Sequence, residues 1–240
     1  MVQSAATRQK SIPPSSPQLE LIAWLLAGIT SCLALVVWGE TLNWDYRNIN
    51  AYTTFPLFGL IAFSVMWSQY MVGALKTVTH GKKDALARFS LISGSLVTTV
   101  VVLHPLILIL KLWSDGDGLP PESYIHYVTP GLGWAVILGS VSLVAFLAFE
   151  LRHRYRDRTW WRFVDYINDA AIVAIYVHAF NLGTHTQFDW FKPVWFFYGA
   201  TLSVALFYKY WRIIQARNER LFKNDLERYR EKSSEKSKAK

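Results

Sequence analysis

Six apolar runs, each about twenty residues long and separated by charged stretches, restrict this chain more than any other feature. They cover residues 21–38, 55–75, 89–110, 131–149, 163–182 and 193–208. Runs of this length cross a hydrocarbon core as helices, because a helix satisfies every main-chain N–H and C=O within its own segment. The expected fold class is therefore all-α, an integral membrane six-helix bundle. The first run, "ELIAWLLAGITSCLALVVWGE", is bounded by Glu20 and Glu40 and carries no small-residue cleavage site. It reads as a retained helix and not as a removed leader.

A formal net charge of +8 raises nucleic acid as a partner, but the distribution of charge argues for lipid instead. Lys76, Lys82, Lys83 and Arg88 lie between runs two and three. Arg152, Arg154, Arg156, Arg158 and Arg162 lie between runs four and five. The remaining connections hold only Arg47, Lys111 and Lys192, opposed by Asp45, Asp115, Asp117, Glu122 and Asp189. Such alternation follows the positive-inside rule. It places both termini in the cytoplasm, with membrane lipid as the surrounding partner and no nucleic acid. Three parts follow: a cytoplasmic N-terminal arm (1–18), a transmembrane domain (19–212) and a basic cytoplasmic tail (213–240). The tail should extend the last helix into water and then fray, since its final residues are small or charged.

Cys32 is the only cysteine and falls inside the first run. This leaves no intrachain disulfide, cysteine-based zinc site, iron–sulfur cluster or covalent C-x-x-C-H haem attachment. There is no glycine-rich phosphate loop behind a strand-like segment, and no convincing internal repeat.

Of six histidines, only His104 and His178 lie well inside expected spans. A buried imidazole in hydrocarbon is costly and marks a functional position by default; the alternative is a neutral ring hydrogen-bonded to a neighbouring helix. The two share one register. His104 follows Arg88 by sixteen residues, and His178 follows Arg162 by sixteen. Both helices run in the same direction, so both rings lie about 24 Å above the inner boundary at about 1.5 Å per residue. Two imidazoles at one depth on parallel helices suit the two axial positions of a haem. Zinc or copper fits less well, since no third and fourth ligands converge there.

The third run, "RFSLISGSLVTTVVVLHPLILIL", resembles the third helix of the ferric reductase-like transmembrane domain family, in which a glycine-containing helix ends in His-Pro and leucines. "WWRFVDYINDAAIVAIYVHAFNLGT" resembles that family's fifth helix, and "FPLFGLIAFSVMWSQYMVGALK" its second. The likeness covers residues 20–210. It implies an oxidoreductase component, a cytochrome b that passes electrons across the membrane through non-covalent haem b held by His104 and His178. The family includes ferric reductases and the membrane haem subunit of the bacterial methionine-sulfoxide reductase system, which implies a bacterial inner membrane. Two-haem relatives carry an inner histidine on each of these helices. Here Ser90 or Leu91 and Asp165 stand at those positions, so one haem is expected. The family's flavin and nicotinamide domain is absent from this sequence. The electron donor is then a separate flavin reductase, or a flavin (FMN or FAD) or quinone at the inner face. The outer acceptor would be ferric iron or a partner reductase.

Four further features carry two readings each. Asp165 and Asp169 lie one turn apart on helix five: either they pair with Arg158 and Arg162, or they form a proton or donor site below the haem, with Asn168 bonding to the same group. The run "RDRTWWRF", including Trp161, is an interfacial belt or holds a flavin or quinone head group. His185, seven residues beyond His178, returns to the same helical face; it meets a haem propionate, replaces His178 as ligand, or is solvated. Lys111 meets the other propionate or snorkels. A non-redox multi-pass protein, a transporter or assembly subunit with structural histidines, is the alternative for the whole chain.

Overall fold

The computed structural model describes residues 17–79, 86–150 and 160–238. Six long helices account for most of them: α1 (Pro17–Thr41), α2 (Ala51–Val78), α3 (Ala87–Asp115), α4 (Gly133–Glu150), α5 (Trp161–Leu182) and α6 (Phe191–Lys238). A single helical turn at Tyr124–Tyr127 makes the seventh α-helix, and 3-10 turns fill Tyr46–Asn48 and Thr184–Gln187. No strand occurs among the described residues. Five of the six apolar runs read from the sequence fall within one long helix, and the fourth, 131–149, begins two residues before α4.

Four of these helices are long and apolar enough to cross a membrane: Pro17–Thr41, Ala51–Val78, Ala87–Ser114 and Phe163–Leu182. The apolar part of α4, Gly133–Ala148, is shorter. Many large apolar side chains on these helices face outward, among them Leu25, Ile29, Leu96, Val141, Val144 and Val173. Such a surface is unfavourable in water and suits lipid.

Helix α2 is the organising element. It packs against α1, α3, α5 and α6, while α4 pairs with α5 and touches α3. Its start is fixed by a reciprocal cap: the Asn50 side chain accepts from the N–H groups of Tyr52 and Thr53, and Thr53 Oγ1 accepts from Asn50 N–H. Trp38 of α1 adds a tie by donating to Thr53 O at 2.6 Å. An aromatic cluster forms the centre of the core, with Phe63 and Trp67 from α2 against Trp195 and Tyr198 from α6. The Trp67 indole donates to Tyr198 O at 3.1 Å, which satisfies a polar group that apolar packing alone would strand.

The last helix extends into the tail as expected: α6 continues unbroken to Lys238, and no fraying is seen before that residue. Helix α5 stops at Leu182, where Gly183 leaves helical geometry.

Candidate functional site

His104 and His178 are held in the same way. Each is seventeen residues beyond the first residue of its helix. His104 Nδ1 donates to Phe55 O of α2 at 2.7 Å, and His178 Nδ1 donates to Ala135 O of α4 at 2.7 Å. A carbonyl only accepts, so in both rings the proton sits on Nδ1 and Nε2 keeps its lone pair. Four residues beyond each acceptor, one helical turn on, stands a glycine against which the ring rests. A Cβ on Gly59 would lie 2.9 Å from His104 Cε1, and one on Gly139 would lie 2.6 Å from His178 Cε1. Any side chain there would push the imidazole aside. The sequence showed no repeat, yet the fold contains one: acceptor carbonyl, glycine one turn later, histidine on the next helix.

Both histidines stay partly exposed, and the two rings lie within electrostatic reach of each other. Helices α3 and α5 do not pack extensively together, although each packs closely on its own partner, α2 or α4. Two neutral nitrogen donors on unpacked helices, each oriented by a main-chain carbonyl on its far nitrogen, match the donor set and outer support of bis-histidine haem ligation. The residues therefore fit haem. Among the described residues no cluster of three or more His, Cys, Asp or Glu could hold a bare metal ion.

A small open pocket of about 70 Å³ lies between α2, α3, α4 and α5, nearer the starts of α3 and α5 than the two histidines. Gln69 and Tyr70, Ser90 and Thr98, and Asn168 supply its polar lining, while Phe146 and Val101 supply apolar walls. Of the two residues considered for an inner-ligand position, Ser90 lines this pocket and Leu91 is exposed.

Asp169 is buried and bound by three groups from two other helices. Tyr70 donates to Oδ1 at 2.9 Å, Tyr210 donates to Oδ2 at 2.9 Å, and the Lys209 ammonium lies 2.5 Å from Oδ2. Asn168 donates to the Tyr70 hydroxyl at 3.1 Å, so Asn168 and Asp169 do meet at one group. Among the described residues the cation is Lys209 of α6. The expected pairing with Arg158 or Arg162 falls outside them, since Arg158 and the side chains of Trp161 and Arg162 are not described. Asp165, one turn nearer the inner end, is only half-buried.

The placement expected of His185 is corrected, and Lys111 has a partner that the sequence reading did not name. Because α5 ends at Leu182, His185 is not on the helical face of His178 and cannot replace it through a shifted register. It sits buried in the turn Thr184–Gln187, which packs against α1 and α6, so it is not solvated either. Burial pushes its imidazole below the ordinary value. The Lys111 ammonium has its own counter-ion in Asp115 and lies over the Tyr52 ring, whose hydroxyl donates to the same carboxylate at 2.7 Å.

The glycine cradles, the carbonyl acceptors and the partners of Asp169 were not anticipated from sequence. Gly59 and Gly139, each isolated within an apolar helix, were the available signal, since such glycines mark close approach. Comparison with protein-family models, with curated proteins and with solved structures finds no match to this chain.

Proposed function

We propose that this chain is a membrane electron-transfer protein of the ferric reductase-like kind, six spans with both termini in the cytoplasm, and that it holds one haem b between His104 and His178. The observation that carries this reading is the matched pair of histidines, both with Nδ1 anchored to a main-chain carbonyl and Nε2 left free. When bound, the haem supplies one-electron redox chemistry. The chain's own residues supply ligation at two nitrogens, fixed ring orientation through Phe55 O and Ala135 O, and a water-poor apolar surround that tunes potential. Electrons would enter from a cytoplasmic-side donor and leave to an acceptor outside, ferric iron or a partner reductase.

The pocket between α2, α3, α4 and α5 supports a quinone or flavin head group as the inner-face donor, because its lining offers hydroxyl and amide groups that suit ring carbonyls. Tyr70 links that lining to the Asp169 carboxylate, which gives a route for a proton released on quinol oxidation.

Purified protein should be coloured, with a Soret band that sharpens and splits on reduction and one haem per chain. A colourless preparation from haem-replete cells would favour the non-redox alternative. A second expectation tests the cradles. Gly139→Ala should impair haem retention more than Gly59→Ala, because its Cβ overlap is the more severe; overpacking of this kind costs about 1–3 kcal/mol. Haem-to-protein ratios of the two variants, measured after identical detergent washes, check the order.

A further inference from the structure

A series of polar groups leads from the pocket to the inner end of the helices. Tyr70 lines the pocket together with Asn168. Its hydroxyl donates to Asp169 Oδ1 at 2.9 Å and accepts from Asn168 at 3.1 Å. A phenol oxygen has a second lone pair, so Tyr70 can also accept from a group held in the pocket. On the other side of the carboxylate, the Lys209 ammonium lies 2.5 Å from Oδ2. Asp169 is 4% exposed and the Lys209 side chain 42%, so the series runs from a closed interior to an open end. Lys209 directly follows the last apolar run, 193–208, which sets it at the inner boundary in the proposed orientation. Tyr210 donates to Oδ2 at 2.9 Å and stacks on Tyr166, while Asp165 lies one turn inward on α5.

We infer that Tyr70, Asp169 and Lys209 form a proton relay that carries the ring protons of a lipid-borne hydroquinone from the pocket to the inner aqueous face. This rests on the reading that the pocket takes the electron donor; it adds the donor's class and the exit of its protons. Leu147 lines the pocket and is 40% exposed within the apolar part of α4, so the ring enters from hydrocarbon. Oxidation turns the hydroquinone into a quinone, with loss of two electrons and two O–H protons. The electrons pass singly to the one-electron acceptor of that reading, the haem. Each ring proton goes to the Tyr70 oxygen as Tyr70 gives its own to Asp169 Oδ1. Lys209 then sheds one ammonium proton to water and takes the carboxyl proton in its place. The groups return to their starting state with one proton moved.

Arginine would serve an ion pair as well as lysine does, but a guanidinium does not give up its proton. The test turns on that difference. Full-length protein in lipid nanodiscs, with haem content measured, is mixed rapidly with tetramethylhydroquinone while the Soret band is followed. Lys209→Arg, Lys209→Ala and Tyr70→Phe should each slow reduction about a hundredfold, the low end of what a placed proton-transfer group contributes. Dithionite, which brings no ring proton, should reduce every variant at the native rate. Added primary amines should restore Lys209→Ala, more strongly the more basic the amine, and should leave Lys209→Arg slow. Haem-free native and Lys209→Arg proteins should bind tetramethylbenzoquinone equally at equilibrium, which reads the pocket without the redox step. Reduction of Lys209→Arg by hydroquinone at the native rate overturns the relay and leaves the haem reading in place. So does a haem-containing native protein that hydroquinone fails to reduce. A colourless protein overturns both.

Discussion

His104→Ala should release the haem completely, and His178→Ala should do the same. In the proposed ligation each imidazole is one of two protein donors, and each is held on a carbonyl and against a glycine. The Soret absorbance of either variant, normalised to protein, should fall to the background of an unliganded membrane protein. Asp165→Ala should retain full absorbance, since Asp165 is half-buried, inward of the pair and outside the lining of the pocket. If Asp165→Ala bleached the protein while His104→Ala stayed coloured, the ligand assignment would be wrong.

The largest expected effect on stability belongs to Asp169→Ala. This carboxylate joins α5 to α2 through Tyr70 and to α6 through Lys209 and Tyr210. Its removal strands two hydroxyls and an ammonium at a helix junction. Breaking a buried pair by removing one partner costs about 3–5 kcal/mol, and the lower end applies because Lys209 is partly open to solvent. Asp169→Asn keeps two oxygen-directed hydrogen bonds in reduced form and should recover part of the loss. Thermal unfolding in one detergent, followed by the far-ultraviolet helix signal, should rank native above Asp169→Asn above Asp169→Ala. An Asp169→Ala midpoint equal to the native one would mean that the cluster does not hold α6 in place.

The helices were legible because their signal is local. Apolar runs of sufficient length are bounded by charge, and each run corresponds to one helix to within two residues. The equal distance of His104 and His178 from the starts of their helices was equally open to counting, since both intervals can be read from the sequence. What failed was the extension of that counting past Gly183, where regular geometry ends and His185 leaves the face assigned to it. The Asp115 partner of Lys111 was overlooked for a different reason: it stands four residues on, a counter-ion that helix spacing makes available. The surroundings of Asp169 were out of reach, because Tyr70 and Lys209 are brought to it by packing between helices distant in sequence. The acceptors at Phe55 and Ala135 were hidden more deeply. Every residue has a carbonyl, and nothing in a side chain tells which one will be used.

That last point has an evolutionary side. A clamp built from peptide oxygens is blind to the side chain of the residue that lends it, so at positions 55 and 135, both buried, it is packing and not the grip on the ring that limits which residue can stand there. Selection against change should fall instead on the two residues one turn further along, whose contribution is the absence of a side chain. A search for distant kin of this chain would do better to align paired glycines and histidines than to weigh the residues that touch the imidazoles most closely.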